Sequence, residues 1–257
     1  SSNRKVRKRA FNEMFKTYES LINTYAALLS GTVEVNNESA RLRNYNSALE
    51  ASLYNDDIDA QLYDKLIEDV HKGLPFLFKY YKLKKKVLGV DELHIYDLYA
   101  EMVKSSDKKY EYEDAKKIIR NALSVFGDEY ISVIDKAFNE NWIDVFENKG
   151  KKSGAYSWGS YTTDPYILTN YSYDYNGVST LAHELGHSVH SYFSNKNNPY
   201  HMSSYPIFLA EIASTVNELL LAYYILDNTD DENEKKYIIS NMLELYRATI
   251  YRQTMFA

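Results

Sequence analysis

The stretch Leu181-Ala-His-Glu-Leu-Gly-His-Ser-Val-His190 constrains this chain more than any other. It contains His183-Glu184-x-x-His187, a spacing that makes chemical sense only on a helix. At 3.6 residues per turn, four residues advance about 400°, so the two imidazoles stand one turn apart on one face. Glu184 lies about 100° round, close enough to reach a water held by a metal ion without being a ligand itself. On the same wheel His190 joins the polar arc, while Val178, Leu181, Leu185 and Val189 fall opposite. Such a helix buries its aliphatic back and turns its histidines into a cleft. Gly186 costs about 1 kcal/mol of helix propensity against alanine, which predicts a close neighbour there. Asn176 reads as the N-cap and residues 195–199 as the stop.

A catalytic zinc takes three protein ligands and leaves a fourth position for water. The chain has no cysteine, so all three must be histidine or carboxylate. The following amphipathic stretch offers the third. Leu209, Ile212, Val216, Leu220 and Tyr223 form a broad apolar side. Glu211, Thr215, Glu218 and Ala222 lie opposite. Glu211 is the expected third ligand, and Glu218, seven residues on, the carboxylate that orients a ligand histidine. His190 is a second candidate support. Manganese or cobalt would suit the same donors.

These residues resemble the thimet-oligopeptidase-like zinc peptidases (family M3), and within them the oligoendopeptidase F branch. The shared features are His183-Glu184-x-Gly186-His187-x-x-His190 and Phe208-x-x-Glu211 with Glu218 beyond. Further pieces agree: Ser39-Ala-Arg-x-Arg-x-Tyr45-x-Ser-Ala-Leu-Glu50, Asp91-Glu-Leu-His-x-Tyr-Asp-Leu-Tyr99, Gly154-Ala-Tyr156-Ser-Trp158 and Pro165-Tyr-Ile-Leu-x-Asn170-Tyr. The resemblance implies a mainly α, multi-helical zincin-like (gluzincin) catalytic domain with a small β-sheet beside the metal helix. It implies one Zn2+ per chain on His183, His187 and Glu211, Glu184 as catalytic base, and hydrolysis of short oligopeptides. It also implies that the family's N-terminal lobe, and a later segment whose His and Tyr side chains stabilise the transition state, lie outside this chain. The isolated chain is therefore expected to bind zinc but to cleave peptides poorly, as a zinc- and peptide-binding piece.

The rest of the chain reads mainly as helix. With nine glycines and four prolines in 257 residues, long helices are favoured over many-turned β architecture. Residues 1–150 are expected to form a helical portion flanking the cleft, and 151–257 the zinc-binding portion. Residues 3–30 show helical spacing behind the cluster Arg4-Lys5-x-Arg7-Lys8-Arg9, read as a solvated helix start whose later apolar residues pack. A turn is expected at 31–37, helices at 39–53, 59–83, 113–126 and 128–146, and a strand or extended segment at 93–103. Residues 154–161 and 166–173 are the strand candidates. A strand edge beside the metal helix can pair with an extended peptide, which makes Gly154, Ala155 and Tyr156 candidate substrate-binding residues. His71, His94 and His201 read as packing residues. A net charge of −6 argues against a nucleic-acid binder. No uninterrupted apolar run of membrane-spanning length is present, so no membrane partner is expected, and the pattern leaves the oligomeric state open. The expected location is the cytoplasm, with which a cysteine-free chain is compatible.

Overall fold

Side-chain caps set many of the helix starts. In a computed structural model describing residues 1–103 and 108–256, Asn3 accepts from the backbone of Lys5 and Val6 to open α1 (Arg4–Glu19). Ser47 opens α3 (Ala48–Leu53) through the Glu50 N–H, and Asp59 opens α4 (Ala60–Leu88), which Gly89 ends in the left-handed conformation. Between them α2 spans Ile22–Leu42. The turn expected at 31–37 is absent: α2 runs straight through Gly31, because one glycine weakens a helix without stopping it. Of the strand or extended segment expected at 93–103, no strand forms; the regular structure there is a single 3₁₀ turn, Ile95–Asp97.

The chain divides into two compact units, Ser1–Lys104 with Leu243–Ala257, and Ser105–Met242. In the first, Asp97 is fully buried and takes Arg4 at 3.0 Å and Arg7 at 2.8 Å. The basic cluster is therefore partly a structural anchor, not only a solvated helix start. A second, partly buried group joins Lys84 and Tyr80 of α4 to Glu244, which also holds Arg247 at 2.7 Å. Arg247–Tyr251 forms a π-helical turn. Helical spacing predicts that Met14, Phe15, Tyr18, Leu21 and Ile22 of α1 and the start of α2 pack, yet they are exposed. Their rings largely touch one another, as in the Phe11–Phe15 and Phe15–Tyr18 pairs.

The second unit carries α5 (Tyr112–Ala122), α6 (Asp128–Asn139), a three-stranded sheet, α7 (Tyr175–Asn197), α8 (Ile207–Asn228) and most of α9 (Glu232–Tyr246). The helix expected over 128–146 stops at Asn139; Asn141 turns left-handed (φ 59°) and releases β1 (Ile143–Asp144). The strands expected at 154–161 and 166–173 shrink to β2 (Tyr156–Trp158) and β3 (Tyr166–Leu168). The sheet order is β1-β3-β2, with β1 parallel and β2 antiparallel to β3, and Ser157 opposite Ile167. Asp174, not Asn176, caps α7, accepting from Gly177 N–H. Gly177 is required there: a Cβ would stand 1.9 Å from the Ser172 carbonyl oxygen.

The aliphatic back of α7 packs as its periodicity predicts. Val178, Leu181, Leu185 and Val189 are all within 1% of full burial, beside Ile119, Ile134, Trp142, Ile167 and Leu221. Helix α8 does not pack mainly through its broad apolar side. Its buried residues are Ala210, Ser214, Asn217, Leu221, Ala222 and Ile225, while Leu209, Ile212, Val216 and Tyr223 are exposed. Close approach explains this. At Gly186 a Cβ would lie 2.7 Å from Ser214 Cα, so the two backbones meet where only small side chains fit. Among the described residues α8 is the one helix long and apolar enough to cross a membrane, by length and composition alone. That length carries Glu211 and Glu218 toward α7.

Candidate metal centre

Close packing of α7 on α8 brings three donors to one point. His183 Nε2 and His187 Nε2 are 3.1 Å apart. Glu211 Oε2 lies 3.5 Å from the first and 3.7 Å from the second. Metal–ligand bonds of about 2.0–2.1 Å on a tetrahedron place neighbouring donors about 3.3 Å apart, so the triangle has the size a zinc ion requires. The donor chemistry agrees. Both Nε2 atoms face inward, and each ring has its other side engaged. His183 Nδ1 meets Glu218 Oε1 at 2.6 Å, and the His187 ring bonds the Ala210 carbonyl. Rings held at Nδ1 keep the Nε2 lone pair for a cation. The histidines are largely buried and Glu211 is half exposed, so the group opens to solvent on the carboxylate side.

Burial and neighbouring charges tune His183, His187 and Glu184. Burial works to lower the His183 pKa, but the hydrogen bond and charge of Glu218 outweigh it and the net shift is upward. Burial and the neighbouring His183 push His187 down. Burial raises Glu184 above the usual carboxylate range; Glu211 adds to this, while His183 and the Ser157 backbone N–H oppose it. A buried carboxylate with a raised pKa beside a candidate cation site has the character of a general base.

The structure brings His183, His187 and Glu211 within 4.8 Å of one another, with Glu184 and Glu218 around them. His190 is not one of the three converging donors. That ring stacks on Tyr205 at 3.8 Å, and its buried Nδ1 has no hydrogen-bond partner among the described residues. Gly154 turns with a positive φ of 94°, and its carbonyl accepts from Asn170 Nδ2 at 2.9 Å. Ala155 follows, and Tyr156 begins β2, one of the two edge strands of the sheet, with one edge unpaired by any described strand.

Several supporting residues are not singled out by the sequence. Ser179 Oγ donates to Glu218 Oε2 at 3.1 Å. Ser214 Oγ donates to Glu211 Oε2 at 2.9 Å. Asn217 donates to the Ala182 carbonyl at 3.1 Å and accepts from Tyr130. The available signal is helical spacing: Ser179 is one turn before His183 and Ser214 one turn after Glu211. Serine at such positions reads as a solvated residue until its neighbour is known to be a ligand.

Peptidase family M3 matches the chain over residues 1–257. Oligopeptidase PepF of Bacillus subtilis (strain 168) is 50% identical over 100% of this chain and 38% of that protein. The oligoendopeptidase F homolog of Lactococcus lactis subsp. lactis is 43% identical, again over 100% of this chain and 43% of its own length. The crystal structure of oligoendopeptidase-F from Enterococcus faecium superposes with a TM-score of 0.72 at 33% identity, covering 100% of this chain and 38% of that one. A solved chain from Chlamydophila abortus superposes at 0.89 with 40% identity, covering 100% and 43%. The chain thus spans about two-fifths of the length of the relatives it matches.

Proposed function

Because the chain belongs to peptidase family M3, we propose that it is the zinc-binding part of an endopeptidase that hydrolyses short oligopeptides. The observation that carries this is the spacing of the three donors: 3.1, 3.5 and 3.7 Å, all facing one point. His183, His187 and Glu211 would hold the ion. When bound, zinc supplies Lewis acidity that polarises a carbonyl and makes water a nucleophile near neutral pH. Glu184 accepts the proton of the attacking water and returns it to the departing amine. Glu218 holds His183 in the tautomer that presents Nε2, and Ser179 steadies Glu218. The open edge of β2, entered through Gly154, Ala155 and Tyr156, suits an extended peptide, whose main chain would be read without regard to side chains.

A metal assay beside incubation with a quenched oligopeptide tests the reading. The expected result is stoichiometric zinc and chelator-sensitive cleavage. Glu184→Gln should lower turnover by about 10²–10⁴-fold while leaving zinc in place. Absence of zinc would refute the assignment. Zinc without cleavage by the 257-residue chain would favour the second reading, a zinc- and peptide-binding piece. That reading is motivated by the chain's covering only 38% of the Bacillus subtilis relative.

A further inference from the structure

Two serines outside the ligand set meet beside the proposed base. Ser188 lies on α7, fully buried, and its Oγ is 2.7 Å from the Oγ of Ser157 in the middle of β2. Ser188 is four residues after Glu184, so both side chains leave the same face of α7, one turn apart. Opposite Ser157, Ile167 turns its own N–H to the Trp142 carbonyl beside β1. The Ser157 N–H therefore faces away from β3, where it acts on the Glu184 carboxylate and favours its ionised form. One helix face therefore grips a single residue at two points, its amide and its hydroxyl. In an extended strand, successive N–H groups alternate between edges. The Ser157 N–H taken by Glu184 thus belongs to the edge that β3 does not use, the edge suited to a peptide.

We propose that the Ser157–Ser188 hydroxyl pair is a clasp that fixes the Ser157 amide on the Glu184 carboxylate, making both serines positioning residues for the base. This inference rests on the peptidase reading given above. Its physical content is orientation. A carboxylate has rotamer freedom about its side-chain torsions, and one backbone N–H on a three-residue strand is a weak tether unless the strand is itself anchored. The hydroxyl pair supplies the anchor one helical turn away. The same contact ties the base to the strand that would seat the substrate, so base and scissile bond keep a common register.

Amide hydrogen exchange of the zinc-loaded chain, read residue by residue by NMR, tests this without requiring turnover. Ser157→Ala and Ser188→Ala should each speed exchange of the residue-157 amide by about tenfold or more. The double variant should be no worse than either single one. Ser157→Thr, which keeps the hydroxyl and suits a strand, should restore slow exchange. Glu184→Gln should alter exchange of the 157 amide in the otherwise native chain but not beside Ser188→Ala, a dependence that mere packing would not produce. Amides of Leu185 and Ile167 should stay protected throughout, and zinc content should be unchanged. The clasp is refuted if both alanine variants leave the 157 amide within about twofold of native, or if Glu184→Gln acts equally in both backgrounds. Missing zinc in the native chain would sink the metal assignment instead, and the exchange data would still judge the clasp.

Discussion

Glu218 sits 2.6 Å from His183 Nδ1 and is itself held by Ser179. Its removal should therefore weaken the cation site without touching a donor. Glu218→Gln is expected to reduce zinc affinity by about 10–100-fold, measured by competition with a chelator of known strength. An unchanged affinity would show that the tautomer of His183 is fixed some other way. At this scale the sequence is informative about donors and poor on what supports them. His183, Glu184 and His187 declare themselves because a metal pair on a helix needs one spacing and few other functions do. Glu211 and Glu218 follow from the same arithmetic on the next helix. Ser157, Ser188 and Ser214 cannot be read out, because a serine's role depends on which neighbour it meets across space. His190 falls with the site by its place on the wheel, but its ring turns to Tyr205.

Gly186 governs the scale of elements. A Cβ there would press on Ser214 Cα and the Ala213 carbonyl oxygen at 2.7 and 2.8 Å, both backbone atoms. Gly186→Ala should lose about 1–3 kcal/mol of stability from overpacking despite its better helix propensity. Gly31 provides the contrast. It lies inside α2, and a Cβ added there would meet nothing within 4 Å, so Gly31→Ala should gain about 0.5–1 kcal/mol. Denaturant unfolding of both variants checks the opposite signs; two losses would contradict the account of α2, and two gains that of the α7–α8 contact. The close approach also explains why α8 packs against its pattern. Periodicity identifies an apolar side but not which side a partner helix takes. Where backbones meet at Gly186, Ala182 and Ser214, the small side wins and Leu209, Ile212 and Val216 are left exposed.

Over the whole molecule, the mainly helical class with one small sheet is legible from glycine and proline scarcity and from the 3.6-residue pattern. The exact breaks are not, since caps such as Asp174 and the left-handed Asn141 act through single side chains. The unit of Ser1–Lys104 with Leu243–Ala257 has a pH-dependent anchor that composition does not reveal. Burial works to raise the Asp97 pKa, but bonds from Arg4, Arg7 and the His94 N–H outweigh it and hold it at about 2, against 3.8 for a free group. A lowered native pKa means the unfolded chain binds the extra proton. The stability from Asp97, about 1–2 kcal/mol, is thus complete above about pH 4 and lost as pH falls toward about 2. Asp97→Asn should flatten the stability curve across that window in denaturant titrations; parallel curves for the two proteins would refute the anchor.

Whether α7 and α8 meet at a cation is tested most directly by anomalous diffraction at the zinc edge. Crystals of the zinc-loaded chain should show one strong peak about 2.0–2.2 Å from His183 Nε2, His187 Nε2 and a Glu211 carboxylate oxygen. A peak elsewhere, or an ion on the histidines with Glu211 turned away, would contradict the account.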